Sequence, residues 1–437
     1  MPSTRSWPRL SGRRSGLAEP PQSADESPIM SLVAAIDVKG WCPGVLRPMQ
    51  SGDGLLVRVR PWCGALRLDE AKGLADASER FGNGHIDLTR RANLQIRGLG
   101  DASAQGLQDA VGRLGLVDRD AEAEAGRNIM VSPLAGIDPA EADIRPVAGA
   151  LADLLASDTG LQRLPSKFGF LVDGGGPVSI AGERADISLK ALGRTMAAGM
   201  AVGLDTPAGT DWVGSTSADE AADVAAAIAR IFIGLTREQG RLRDVGEGPF
   251  GRLRAIVHKG LGPVGNLSVE SRRLIGAKGL AVGIAAPFGR LEAHQLRSFA
   301  GLAGEAGAAD IRLSPWRALY VGARDAAAAQ ILMEGAQEIG LIADASDPIL
   351  RIDACAGAPA CRSSSVDTRR TARRLAASTF TGSVHVSGCA KGCARSAPAD
   401  LVLVGEQGRY GVIRNGTARD LPQRTVDASE AGVLFDV

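Results

Sequence analysis

A chain of 437 residues with 45% hydrophobic residues is long enough for two to four packed domains. A formal net charge of +1 argues against nucleic acid or an anionic membrane as the main partner, and no apolar run approaches a membrane span. Six cysteines in a chain of this size, with no signal peptide in view, point to reduced thiols and a cytoplasmic location rather than a disulfide scaffold.

Residues 1–29, rich in Arg, Ser and Pro, read as a disordered tail with a faint bias toward an organelle transit peptide. Residues 30–115 are expected to form a ferredoxin-like half repeat. It would comprise a β-rich run at 55–60, a helix, a hairpin over 86–96 and an Ala-rich helix. Residues 116–245 read as an α/β domain with two motifs. Gly126-Arg127-Asn128 leads into a short strand, and Leu164-Pro-Ser-Lys167-Phe-Gly169 leads into a strand and the Gly174-Gly-Gly176 turn. That turn is not a phosphate loop, because no Lys-Ser/Thr follows it and no helix opens there. Residues 246–345 repeat the half-domain grammar, with Leu296, Phe299, Ala300 and Ala303 on one helix face and a hairpin over 311–321. Residues 346–437 form the last domain and hold four of the six cysteines.

The two half repeats align without gaps at a constant offset of 225, residues 64–94 on 289–319. Gly64, Leu66, Ala75, Gly82, Ile86, Leu88 and Leu94 meet identical residues. The copies differ where chemistry would sit: Arg91 and Gln95 in the first correspond to Trp316 and Tyr320 in the second. The first hairpin therefore looks polar and anion-binding and the second structural, although an Arg pair in a hairpin is commonly just a solvated face.

Cys355 and Cys361 are spaced C-x5-C, and Cys389 and Cys393 C-x3-C, in loops of Gly, Ala and Pro that let backbone approach a bulky inorganic group. Four thiolates are the usual complement of a 4Fe–4S cluster. The spacing departs from the paired C-x2-C of common zinc sites, with structural zinc and unrelated buried cysteines as the competing readings.

Taken in chain order, five motifs resemble the sulfite and nitrite reductase superfamily over roughly residues 35–420. They are T-x-R-x-x-x-Q (Thr89, Arg91, Gln95), R-N (Arg127, Asn128), L-P-x-K-F (Leu164 to Phe168), C-x5-C and C-x3-C. The resemblance implies an α+β fold. Duplicated ferredoxin-like halves form one unit, with two α/β sirohaem-type domains, the C-terminal one carrying the cluster on Cys355, Cys361, Cys389 and Cys393. It also implies Arg91, Arg127 and Lys167 as catalytic cations, and Arg91, Asn93, Gln95, Arg127, Asn128 and Lys167 as the substrate-binding set.

One departure selects the branch. The reductases carry a second lysine, L-P-x-K-F-K, where this chain has Gly169. Lys-Phe-Gly-Phe, the following Val-Asp-Gly-Gly, and the opening Cys42-Pro-Gly resemble the oxygen-dependent branch, the precorrin-3B synthase family of aerobic cobalamin synthesis. This resemblance implies a monooxygenase acting on precorrin-3A and dioxygen with an unidentified electron donor. It would hydroxylate meso carbon 20 and close a lactone from the ring A acetate. A mononuclear non-haem iron is a further implied cofactor, for which His85, His258, His294 and His385 give no firm ligand set. The alternative is a sirohaem-dependent sulfite or nitrite reductase, the one reading that requires sirohaem, and a non-catalytic cluster protein is the third. His385 reads as a structural histidine or a partner of the cluster. Cys42 and Cys63 read as free thiols. Arg369, Arg370, Arg373 and Arg374 read as a solvated helix face or a docking site for a donor or for substrate carboxylates.

Overall fold

The computed structural model describes residues 41–235, 240–267 and 269–431; the tail expected over 1–29 lies outside them. The first half repeat comprises β1 (Met49–Ser51), β2 (Gly54–Val59), β3 (Ala65–Arg67), α1 (Leu68–Phe81), β4 (His85–Leu88), β5 (Leu94–Leu99) and α2 (Asp101–Arg113). Helix α1 starts where Glu70, at the third helical position, folds back to accept from the Arg67 backbone N–H at 2.8 Å.

The middle domain runs through α3 (Ala121–Gly126), β6 (Ile129–Val131), α4 (Arg145–Ser157), β7 (Phe170–Asp173), β8 (Ile187–Ala191), β9 (Met200–Thr206), β10 (Gly209–Thr216), α5 (Ala221–Leu235) and α6 (Glu247–Lys259). Strands β6, β7 and β8 are parallel, and β9 and β10 extend the sheet antiparallel. Helix α6 puts Leu253 and Val257 into this domain's core. The boundary expected at residue 246 therefore falls inside a packed unit, because two apolar residues a turn apart hold α6 to the middle domain.

The second half repeat has β11 (Gly276–Lys278), β12 (Ala281–Ala285), β13 (Arg290–Glu292), α7 (Ala293–Glu305), β14 (Asp310–Leu313), β15 (Ala318–Gly322) and α8 (Ala326–Glu338). The last domain has β16 (Ile352–Ala354), α9 (Thr368–Ala376), β17 (Val384–Ser387), β18 (Ala399–Glu406), β19 (Arg409–Gly416) and β20 (Arg424–Asp427). Its strands repeat the middle domain's topology: three parallel, then two antiparallel.

The half repeats exchange their short edge strands. Strand β13 completes the sheet β1-β2-β5-β4-β13, and β3 completes β11-β12-β15-β14-β3. The pairing Arg290↔Asp87 in one sheet corresponds to Ala65↔Arg312 in the other at the same offset of 225. Leu74, Ile86 and Leu94 share one apolar core with Leu296, Phe299 and Ile311, so neither half is a separate folding unit. Small residues on α1 (Ala71, Ala75) and α7 (Ala300, Ala303) are fully buried in that core and let the helices approach closely.

Candidate functional site

Register in the first half-repeat sheet decides what one face presents. Arg58 pairs with Gln95, Gln95 with Asp87, and Asp87 with Arg290, so these four side chains form one polar row. The same row in the second sheet reads Gly283, Tyr320, Arg312 and Ala65. There Tyr320 fills the space over Gly283 (a Cβ on that glycine would stand 2.9 Å from the ring). The first copy carries three charged side chains in this row, whereas the second keeps one, Arg312, beside a glycine, a buried tyrosine and an alanine.

The cysteine loops dock against this charged sheet. The Ala360 carbonyl, beside Cys361, accepts from Arg97 Nη2 at 2.6 Å, Ser51 Oγ at 2.8 Å and the Gly52 amide at 3.1 Å. Arg97 also grips Asp53 through both Nε and Nη2 at 2.9 Å. Asp87 receives Arg290 at 2.9 Å and Arg369, from α9, at 2.8 Å. Burial alone would push the Asp87 carboxyl up, but Arg369, Arg290 and Arg97 together hold it well below the usual carboxylate range. Arg369 thus belongs to a buried inter-domain ion cluster, whereas Arg370, Arg373 and Arg374 of the same helix are exposed.

Cys355 follows β16 and Cys389 follows β17, at the carboxyl ends of neighbouring parallel strands. Cys355 Sγ accepts from the Gly388 amide at 3.1 Å, and a Cβ on Gly388 would stand 3.5 Å from that sulfur. Thr368 Oγ1 donates to the Cys355 carbonyl and Ser387 Oγ to the Cys389 carbonyl, each at 2.7 Å. Burial pushes the Cys389 thiol up, and Cys361 and Cys355 add to the rise. Burial pushes Cys393 up to about 11, with Cys355, Cys389 and Cys361 adding. The thiols thus lie near enough to raise one another, and a bound cationic group would favour their thiolate forms. Among the described residues no three His, Cys, Asp or Glu side chains gather around a single-ion position. A cluster that takes one thiolate per iron fits this donor set better than a lone zinc. A separate mononuclear iron finds no ligand set among the described residues. His85 stands 3.4 Å from Glu292, His258 Nδ1 contacts the Val213 carbonyl, and His385 is fully buried with neither ring nitrogen partnered.

The expected substrate residues divide into two groups. Arg127 is 4% exposed and forks onto Asp118, with Nε–Oδ1 at 2.9 Å and Nη2–Oδ2 at 2.8 Å. It also donates to the Arg60 carbonyl at 3.0 Å and stacks on Trp62 at 3.8 Å. The guanidinium expected as a catalytic cation is thus already engaged within the fold by a buried carboxylate and an aromatic face. Asn128 is likewise a clasp. Its Nδ2 donates to the Ala125, Ser166 and Phe168 carbonyls, which shapes the loop carrying Lys167.

Lys167 is exposed on that loop. Gln95 is half-buried in the charged row, and Asn93 is buried where its backbone closes the hairpin on Thr89. Arg91 donates through Nη1 to the Arg184 carbonyl at 3.2 Å and lies 3.2 Å from where a Cβ on Gly169 would stand. Burial, then Arg241, push the Arg91 guanidinium down to about 10.

Sequence reasoning missed Arg58, Arg60 and Arg241. Arg60 Nε reaches Asn128 Oδ1 at 3.3 Å, and burial pushes this guanidinium down to about 10, with Arg58 adding. Arg241 Nε holds the buried Asp186 at 2.8 Å. A signal existed for the first two: their counterparts at the offset of 225 are Gly283 and Ala285, so the charge belongs to one copy alone.

Duplicated ferredoxin-like halves, two α/β domains of matching topology and a four-thiol loop pair define the nitrite and sulfite reductase class of folds. The sequence model of the nitrite/sulfite reductase ferredoxin-like half domain matches residues 47–114 and 273–339. The solved structure of the Mycobacterium tuberculosis NirA protein superposes with a TM-score of 0.70 at 22% identity, over 87% of this chain and 79% of that one. A ferredoxin–nitrite reductase from Synechococcus elongatus is 26% identical over 84% of this chain and 79% of its own length. A precorrin-3B synthase from Sinorhizobium sp is 35% identical over 90% of this chain and 86% of its own. The chain belongs to the precorrin-3B synthase family. Its half-domain duplication is that of the reductases, and among the described residues no helix is long and apolar enough to cross a membrane.

Proposed function

We propose that this protein is a precorrin-3B synthase, an oxygen-dependent monooxygenase of the precorrin-3A macrocycle. The observation that carries the reading is the 35% identity to a named synthase along nearly the whole of both chains. The local support is Gly169. Where the reductases have a second lysine, this chain has no side chain, and Arg91 lies across the vacated space. A small oxyanion losing its oxygens as water needs dense positive charge at that point; a macrocycle needs room and cations for its acid arms.

The balanced reaction takes precorrin-3A, dioxygen, two electrons and two protons to precorrin-3B and water. One oxygen atom becomes the hydroxyl at meso carbon 20, and the ring A acetate closes the lactone with its own oxygen. The electrons come from an external donor. Arg91, Asn93, Gln95 and Lys167 are the groups proposed to meet the substrate. Arg127 and Asn128 act through the loops they hold. Cys355, Cys361, Cys389 and Cys393 would hold a 4Fe–4S cluster, which supplies one-electron transfer when bound.

The competing reading, a sirohaem-dependent reductase, draws support from the 26% identical nitrite reductase. The electronic spectrum of protein purified without air separates the two. The synthase reading expects a broad cluster shoulder, no tightly bound sirohaem, and no reduction of sulfite or nitrite with a strong artificial donor. Soret and red-region sirohaem bands accompanied by sulfite reduction would overturn it.

A further inference from the structure

The hairpin of each half repeat sends one guanidinium to the same carboxylate of the last domain. Arg90, between β4 and β5, lies 3.8 Å from Asp353, and Arg317, between β14 and β15, lies 3.5 Å from it. Arg395, just past Cys393, donates to Asp353 through Nη1 at 3.2 Å. Three cations thus share one anion, and the set lies against the C-x3-C loop. Arg317 Nη2 donates to the Ala394 carbonyl, next to Cys393, at 3.0 Å, and the Arg395 amide donates to the Gly392 carbonyl at 3.2 Å. Asp353 is in register with His385 on the neighbouring strand, and the His385 ring lies 3.6 Å from where a Cβ on Gly392 would stand. Arg317 is held there at a cost. Its side chain is 13% exposed and its backbone is left-handed, with φ of 61°. Gly289 keeps the place of its stem clear, since a Cβ on that glycine would collide with it. At the offset of 225 its counterpart is Ala92, with φ of 51°, so the turn is common to both copies and the guanidinium belongs to the second alone. A hairpin that only closes a sheet has no need of a desolvated cation at its strained position.

We propose that Arg317, opposed by Asp353, is a positioning residue that seats the Cys389–Cys393 loop and raises the reduction potential of the cluster bound there. This rests on the cluster assignment above and goes beyond it in naming residues that bind no iron. An electron added to a cluster held by four thiolates enters a place already rich in negative charge. Buried positive charge beside the loop favours the reduced state, and a carboxylate in the same set disfavours it. Arg317 and Asp353 therefore act on the potential with opposite signs, although both brace the same loop. A purely structural clamp has no such signature, because losing either partner would loosen the loop in the same way.

The test is a redox titration of the anaerobically purified full-length protein with dithionite and mediators, followed by electron paramagnetic resonance. Arg317→Met should move the midpoint potential to more negative values, by about tenfold in the reduction equilibrium, or about 59 mV for one electron. Arg317→Lys, which keeps the charge, should recover most of that shift. Asp353→Asn should move the potential to more positive values. Arg254→Gln, which breaks an exposed pair with Asp211 in the middle domain, is the charge-matched control and should titrate as wild type does. If Arg317→Met holds no cluster, Asp353→Asn carries the test alone. A potential that stays in place or moves the other way in either loaded variant overturns the proposal. Loss of the cluster from both variants overturns it too, in favour of a role in folding alone. Wild-type protein without iron and acid-labile sulfide sinks the cluster assignment itself and the proposal with it.

Discussion

Replacing Arg127 with Met should destabilise the protein before it affects any ligand. Asp118 is 6% exposed, and Arg127 supplies both of its close contacts, at 2.9 and 2.8 Å. Without the arginine a carboxylate is left buried and unpaired, which costs about 3–5 kcal/mol. The guanidinium also stacks on Trp62 at 3.8 Å, worth up to roughly 2 kcal/mol in a desolvated setting. The loss is large beside a whole-domain stability of about 5–15 kcal/mol. It should appear as a marked fall in urea midpoint followed by near-ultraviolet circular dichroism. The double variant Arg127→Met with Asp118→Leu should recover much of the loss, because replacing both partners of a buried pair by apolar groups is often near neutral. The reasoning fails if Arg127→Met unfolds like wild type yet no longer binds a tetrapyrrole. Arg127 would then be an open-cleft ligand, as its place beside Asn128 in the motif suggests.

Serine at Cys355, Cys361, Cys389 or Cys393 should abolish bound iron and acid-labile sulfide and loosen the last domain, since cluster binding and folding are coupled; unchanged iron and sulfide would refute the ligand set. Gly169→Lys presses on Arg91, whose Nη1 lies 3.2 Å from the added Cβ and must give by a few tenths of an ångström. It should weaken uroporphyrin binding without conferring sulfite reduction, and tighter porphyrin binding would contradict the packing argument. Burial pushes the Glu141 carboxyl up to about 8, whereas an unfolded glutamate titrates near about 4.3. Between those values the folded state binds more protons than the unfolded state. The stability Glu141 contributes is therefore fully present below the lower value and is lost as pH rises through the upper one. Glu141→Gln should flatten this decline, as read from urea midpoints on either side of neutrality, and an unchanged pH profile would refute the assignment.

The duplication was legible because it is written in spacing. Residues at the offset of 225 share even their backbone strain: Cys63 and Phe288 have φ of 50° and 54°, and Ala92 and Arg317 have 51° and 61°. The exchange of edge strands was not legible, since β3 and β13 are three residues long and pair across more than two hundred positions. The repetition of the middle sheet's topology in the last domain was equally hidden, because only strand order carries it. The cysteines stand out in the sequence by spacing and loop composition. The engagement of Arg127 within the fold was not legible, since Trp62 and Asp118, which hold it, lie outside its motif. The glycine triplet had an unsuspected cause. Gly174 and Gly176 pack directly against the buried Glu141, and a Cβ on either would stand 2.6–2.8 Å from its side chain.

The central claim is that dioxygen oxidises a tetrapyrrole substrate in this fold, and isotope labelling of the product measures it most directly. Precorrin-3A is incubated with the anaerobically purified protein, a reductant and heavy-isotope dioxygen, and the product mass and fragments are read. The account predicts turnover only when dioxygen is present. One labelled oxygen should be retained in the new hydroxyl, and an unlabelled lactone oxygen should come from the substrate's own acetate. Oxygen-independent conversion of precorrin-3A, or a hydroxyl carrying no label, would contradict it.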